Sequence, residues 1–277
     1  MKDKIILAIK GFFMGIANII PGVSGGTLAI TMGIYEDLIE AISHFFSKIK
    51  ENVKFLIPVL LGAVISVILG SRVISYSLEK YPLPTIMFFI GLILGGIPML
   101  YKKIKGNSKP SNIFIFILTF SLVIGLMFLK SGNNVSFTNM NIMDYILLFI
   151  VGVIASATMI IPGISGSFML MVMGYYKPIL HTINSLTSFQ NIVPNMLILI
   201  PFGLGVLVGL VLIAKVLEYL FNKFEVPTYF GIIGFVLASI IGIFTSTEGL
   251  SFTLPQIIAS LILFVIGFVI ALKLGDE

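Results

Sequence analysis

The amino-acid sequence predicts an all-α integral membrane protein of two inverted-topology repeats, each a broken, re-entrant helical hairpin followed by three transmembrane helices. Three observations carry that expectation. Of 277 residues, 58% are hydrophobic and 10% charged, with a mean hydropathy of +1.13, too little charge to cover a water-soluble surface. Seven apolar runs of 17 to 20 residues recur at about 55–71, 84–100, 112–129, 142–161, 196–214, 228–244 and 254–272, each long enough to span a hydrocarbon core of about 30 Å as a helix. The third observation is internal repetition. The stretch 18–33, NIIPGVSGGTLAITMG, returns at 159–174 as MIIPGISGSFMLMVMG.

The first repeat is expected over 1–135, with a hairpin at 5–42 and spans near 55–77, 84–101 and 112–130; the second over 141–277, with a hairpin at 142–181 and spans near 193–215, 227–245 and 254–273, all in one transmembrane domain. The start, MKDKIILAIKGFFMG, is like a signal peptide, but it has no small-residue cleavage site and Lys10 interrupts its apolar part, so it reads as retained. Polar loops at 101–111 and 130–144 are too short for a separate domain, and tyrosines 76, 81, 101, 145, 175, 176 and 219 sit at the ends of apolar runs, as interfacial anchors do. Period-two alternation is not sustained, which disfavours a β-barrel. With no cysteine in the chain, disulfides and thiolate metal sites are excluded. His44 and His181 read as loop residues beyond the hairpins, and no metal site is expected.

The repetition runs nearly the whole length of the chain. A shift of 141 places Pro21, Gly22, Ser24, Gly25, Met32, Gly33 and Tyr35 on Pro162, Gly163, Ser165, Gly166, Met173, Gly174 and Tyr176. A shift of 143 then places Pro58, Gly62, Tyr76, Lys80, Pro84, Gly91 and Lys130 on Pro201, Gly205, Tyr219, Lys223, Pro227, Gly234 and Lys273. If each motif segment folds back, basic residues divide 13 to 4 between the two faces; if each crosses once, they divide 9 to 8. The positive-inside bias prefers the hairpin. A hairpin plus three spans is an odd number of crossings, so the second repeat is upside down, an arrangement common in secondary transporters.

Each proline removes an amide hydrogen and disfavours helix in the residue before it, so Ile20 and Ile161 should end their helices. A serine then caps a new helix starting near residue 25 or 166. The product is a helix N-terminus at membrane depth, with unpaired N–H groups that lipid cannot satisfy and an anion can. The candidate phosphate-binding residues are Pro21, Gly22, Ser24, Gly25, Gly26, Thr27, Pro162, Gly163, Ser165, Gly166 and Ser167. Candidates for head-group capture or coupling are Asn18, Glu36, Arg72, Lys80, Lys215 and Lys223. Snorkelling to ordinary lipid phosphates accounts for the basic ones nearly as well, and an interfacial charge accounts for Glu36.

The double PG-x-SG motif, together with FFIGLILGGIPML at 88–100, resembles the bacterial undecaprenyl-phosphate (polyprenyl-phosphate) transporters, once classed as a membrane domain of unknown function. That resemblance implies a flippase returning the monophosphorylated carrier lipid from the outer to the cytoplasmic leaflet for cell-wall synthesis, in the bacterial cytoplasmic membrane. Both termini are expected in the cytoplasm. The motifs are also similar to the PG-x-S-R-S of undecaprenyl-pyrophosphate phosphatases, but Gly25 and Gly166 stand where the arginine would be, and Glu36 and Glu40, which keep the E-x-x-x-E spacing, have no arginine partner. The expectation is therefore binding without hydrolysis, in a protein that is not an enzyme. The partners are the lipid and the bilayer, not nucleic acid, and oligomerisation is left open. No cofactor is expected; a coupling ion, proton or sodium, stays undetermined. A small-anion channel or exchanger is the alternative, and a phosphatase the more distant one.

Overall fold

The computed structural model describes residues 2–17, 23–129, 132–138, 140–187 and 191–276, and the regular structure among them is helical. The elements are α1 (Lys2–Ala17), α2 (Gly25–Thr31), α3 (Tyr35–Ser43), α4 (Ile49–Ile65), a π turn (Ser66–Gly70), α5 (Ser71–Lys80), α6 (Pro82–Ile104), α7 (Pro110–Met127), α8 (Ile142–Ile160), α9 (Gly166–Val172), α10 (Tyr176–Thr187), α11 (Ile192–Ser246) and α12 (Leu254–Asp276).

Local chemistry sets these boundaries. Pro82 and Pro110 open α6 and α7, where a missing N–H costs nothing. Asn141 and Asp144 form a reciprocal capping box on α8. Gly33 and Gly174 take φ +69° and +80° in the turns before α3 and α10, a conformation that suits glycine. The register of the repeat survives into the structure. Helices α2 and α9 begin 141 residues apart, as do α3 and α10, while α4 and α11 begin 143 apart. Tyr81, between α5 and α6, has φ −136°, ψ 57°, and its counterpart Phe224 breaks α11 with φ −135°, ψ 48°.

Six helices among the described residues are long and apolar enough to cross a membrane: Ile49–Gly70, Pro82–Ile104, Pro110–Met127, Ile142–Ile160, Ile192–Ser246 and Leu254–Gly275. The 55-residue α11 would measure about 80 Å if straight. It doubles back at Phe224 instead: the Thr228 hydroxyl donates to the Leu220 carbonyl at 3.1 Å, whereas eight residues of straight helix span about 12 Å. Its two arms therefore match the fifth and sixth apolar runs of the sequence separately. The helix expected at 55–77 is longer than its apolar run, because α4, the π turn and α5 continue from Ile49 to Lys80. His181 lies inside α10, which corrects the loop expectation for that residue, while His44, the C-cap residue of α3, opens the turn before α4.

Glycines set the helix pairing. On α1 and α4, Gly11 lies against Val59, Gly62 against Phe12 and Gly15 against Ser66. The numbers rise together, so these helices run the same way. For α1 and α4 to be parallel neighbours, the chain between them must travel back, and α2 and α3 make that return. The second repeat repeats the device, with Gly205 against Phe149 and Gly209 against Val153 and Ser156. Two further pairs join the repeats. Gly91 and Gly95 of α6 meet Phe264 and Phe268 of α12, and Gly231, Gly234 and Gly242 of α11 meet Ile115, Thr119 and Met127 of α7. The centre of the bundle holds Leu28 of α2 and its C-cap residue Met32, Ile39 of α3, Phe89, Leu92 and Ile93 of α6, and Val236 and Ile243 of α11.

A Cβ at Gly62 would overlap the Ala8 carbonyl, and one at Gly205 the Phe149 carbonyl, whereas one at Gly203 meets nothing within 4 Å. Gly62→Val and Gly205→Val should each cost about 3 kcal/mol by forcing two backbones apart. Thermal unfolding in detergent should show a large loss for both and little change for Gly203→Val.

Candidate functional site

The second PG motif forms as the sequence dictates. Helix α8 ends at Ile160, Ile161 turns to extended geometry (φ −63°, ψ 124°), and Gly163 takes φ +77°. Ser165 is extended before α9, but its side chain makes no capping bond. Its Oγ instead lies 2.7 Å from Ser167 Oγ. That departs from the expected cap and leaves the first N–H groups of α9 without a side-chain acceptor. A cavity of about 620 Å³ opens at this point. Gly163, Ser165, Ser167 and Tyr176 form its polar side together with Thr245 and Ser246, while Val123, Ile124, Met127, Phe128, Phe168 and Ile241 form apolar walls. No charged side chain lines it among the described residues. Pro162 and Gly166 are buried beneath it.

Asn18, Ile20, Pro21 and Gly22 lie outside the described residues, and the described part of the first motif is buried. Ser24 does cap its helix, accepting from the Thr27 N–H at 3.3 Å. Ser24 and Thr27 are 3% and 0% exposed, and Gly25 and Gly26 are buried with them.

The two motifs meet. The Gly163 N–H donates to Thr27 Oγ1 at 2.9 Å, 136 residues away. Gly26 packs on the Ile160 carbonyl, 2.5 Å from where its Cβ would stand. The same carbonyl accepts the Tyr35 hydroxyl at 3.1 Å. One of the backbone acceptors freed where α8 stops is thus satisfied by a side chain of the other repeat. Tyr35 was not among the residues expected at the site, although its match to Tyr176 in the repeat register was a usable signal.

The charged candidates lie elsewhere. Glu36, at the start of α3, accepts the Tyr229 hydroxyl and pairs with Lys103 at 3.4 Å. Lys103 also reaches Glu225 at 3.6 Å and sits 5.2 Å over the Tyr229 ring. Glu36 and Tyr229 border a cavity of about 230 Å³ that also touches Tyr35, Asp37 and Phe221. The sequence offered no sign of this network, because its members are 67 and 193 residues from Glu36. Glu40 pairs with Lys48 at 3.1 Å, and that bond holds the Lys48 ammonium above its ordinary pKa. His44 lies 3.3 Å from Glu218. Lys223 donates to the Tyr219 hydroxyl at 2.9 Å and lies near the Tyr219 and Phe224 rings. Lys80 is 3.9 Å from Glu79, and Lys215 is exposed on α11. Only the backbone of Arg72 is described, within α5. None of Lys80, Lys215 and Lys223 lines the cavity at the second motif. A separate groove of about 670 Å³ between α1 and α4 is nearly all apolar and remote from both motifs.

A family model described as undecaprenyl phosphate translocase-like matches residues 14–260. A polyprenyl-phosphate transporter of Staphylococcus aureus is 34% identical, covering 98% of this chain and 96% of that protein. Another polyprenyl-phosphate transporter, of Vibrio cholerae, is 31% identical over 88% of this chain and 78% of its own length. An undecaprenyl-diphosphatase of Clostridium tetani is 26% identical over 44% of this chain and 45% of that enzyme. No solved structure matches the chain.

The two serines should separate in stability. Ser24→Ala removes a buried cap and should cost about 1 kcal/mol. Ser165→Ala removes none and should cost clearly less, as measured by thermal unfolding of the purified variants.

Proposed function

The chain belongs to the undecaprenyl phosphate translocase-like family, and on that premise we propose that it carries undecaprenyl phosphate from the outer to the cytoplasmic leaflet by alternating access. The phosphate sits at the second PG motif when the protein faces outward and at the first when it faces inward. The observation that carries this reading is the asymmetry of the two motifs: Ser165 and Ser167 face a cavity of about 620 Å³, while Ser24 and Thr27 are buried.

The cavity walls suit a prenyl phosphate. Hydroxyls at one side can take over part of the water shell of a phosphate, which no apolar medium replaces. Valine, isoleucine, methionine and phenylalanine at the other side accept the isoprenoid chain, which favours a lipid over a small anion.

Direction follows from the charges. The cavity is built from the C-terminal parts of α7 and of the second arm of α11. Both helices begin at the opposite end, where Glu36, Lys103 and Glu225 meet. That end carries Lys102, Lys103, Lys105 and Lys109 and, by the positive-inside bias, faces the cytoplasm. The cavity therefore opens to the outer leaflet of the bacterial cytoplasmic membrane, and the ionic network closes the inner side. The C-terminal Gly275 lies beside Gly33 and Met99 at the inner end, in keeping with a cytoplasmic C-terminus.

Helix directions support inverted repeats. The second arm of α11, counterpart of α6, lies parallel to α7, and α12, counterpart of α7, lies parallel to α6. Since a short loop joins α6 and α7, each helix runs opposite to its own counterpart. The return of α2 and α3, and of α9 and α10, supports a re-entrant reading of both hairpins.

Purified protein should bind undecaprenyl phosphate, lose most of that affinity for undecaprenol, and release no inorganic phosphate from the pyrophosphate. A Ser165→Ala, Ser167→Ala double variant should bind the monophosphate about tenfold more weakly. Gly163→Leu should abolish transport, since Gly163 has φ +77° and a side chain there would overlap the Phe235 carbonyl. Equal binding of all three lipids would hand the motifs to a small anion, and phosphate release would indicate an enzyme.

A further inference from the structure

Tyr176 enters this site without having been selected by its sequence motif. It is the first residue of α10, half-buried, and it borders the outward cavity together with Ser165 and Ser167. Its position is rigidly set. Gly174, two residues earlier, takes φ +80°, and its carbonyl accepts the Val135 N–H at 3.1 Å. The Tyr175 N–H in turn donates to the Leu170 carbonyl at 2.9 Å.

The repeat register supplies a comparison within one chain. Tyr176 matches Tyr35, 141 residues earlier. The Tyr35 hydroxyl reaches across to the broken end of α8 and donates to the Ile160 carbonyl at 3.1 Å. A tyrosine at this place in the repeat thus presents its O–H to an oxygen acceptor at a helix break. Among the described residues the Tyr176 hydroxyl has no such protein acceptor, and the residue lines the cavity.

The donor count of the cavity explains what fills that role. The Ser165 and Ser167 hydroxyls are 2.7 Å apart, so one of their two protons is engaged between them. The Gly163 N–H is engaged by Thr27. No basic side chain lines the cavity among the described residues. The first N–H groups of α9 and one serine proton remain as donors; a phosphate monoester, which accepts through three oxygens, has room for a further one, and O–H to anionic oxygen is among the stronger hydrogen bonds.

We propose that Tyr176 is a head-group ligand of the outward-facing state, its phenolic O–H donating to a phosphate oxygen of a prenyl monophosphate beside Ser165 and Ser167. This rests on the assignment of the second PG motif as the phosphate site. It deepens that assignment by making recognition in the outward state depend on a residue whose counterpart, Tyr35, is withdrawn into a protein contact.

The test measures equilibrium binding of undecaprenyl phosphate and of undecaprenol to the full-length protein, Y176F, Y175F and S165A. Tyr175 has the same residue type one position earlier but packs 6.3 Å from the Phe137 ring and does not border the cavity. Y176F should weaken monophosphate binding about five- to tenfold and leave undecaprenol binding and the melting temperature unchanged, while Y175F binds both as the unsubstituted protein does. Normal monophosphate binding by Y176F, with S165A impaired, would overturn the role of Tyr176 and leave the phosphate site standing. An equal loss for both lipids in Y176F would also overturn it, because the ring would then be packing on the chain. If the unsubstituted protein fails to distinguish the monophosphate from the alcohol, the assignment of the motif itself falls, and the proposal with it.

Discussion

Backbone polar groups released by a helix break inside a membrane have no water to turn to, and the centre of this molecule is organised around satisfying them. Where α8 stops, the Ile160 carbonyl takes a proton from Tyr35 and the Gly163 N–H gives one to Thr27. Both partners come from the other half of the chain. The break after α8 is thus satisfied from the first half of the chain. The residues that meet the need, Thr27 on α2 and Tyr35 on α3, are buried at the core of the bundle beside Leu28, Met32 and Ile39.

Close approach of backbones is the second constraint. Lipid provides no hydrophobic drive for two helices to associate, so contact must come from shape. Glycines bring α1 onto α4, α8 onto α11, α6 onto α12 and α7 onto α11. The matched pairs differ in detail. Ser66 faces Gly15 in one repeat, and in the other Ser156 faces Gly209, so the serine and glycine exchange helices while the contact is kept. A repeat can lose sequence identity at single positions and still conserve the space between its helices.

Charge is segregated from the cavity that the second motif opens. An ionic cluster sits at the far end, where Glu36, Lys103, Glu225 and Tyr229 join α3, α6 and α11. The cavity wall offers hydroxyls and apolar side chains. Such a division has a physical sense for the proposed transport of a lipid phosphate. A fixed cation in the site would hold the anion strongly in one state and slow its departure, whereas neutral donors can be exchanged for those of the other motif. An ion-paired end, by contrast, gives a closed side that must break several contacts together before it opens.

The sequence by itself determined a great deal. Hydropathy set the helical membrane class, Pro162 and Gly163 set where α8 breaks, and the register through Pro58 and Pro201, Gly62 and Gly205, and Tyr35 and Tyr176 set the order of elements. These are local or periodic properties, carried by single residue types whose backbone limits hold in any context. Only the tertiary structure decided which donor meets which acceptor. Ser24 and Ser165 occupy the same place in their motifs, yet one caps its helix and the other turns to Ser167, because the surroundings of the two motifs differ. The same holds for Glu36, whose partners Lys103 and Tyr229 arrive from distant helices, and for the charged candidates Lys80, Lys215 and Lys223, which the fold keeps away from the open cavity. Side-chain pairing across a bundle depends on how helices rotate and settle against one another, and no spacing along the chain encodes that.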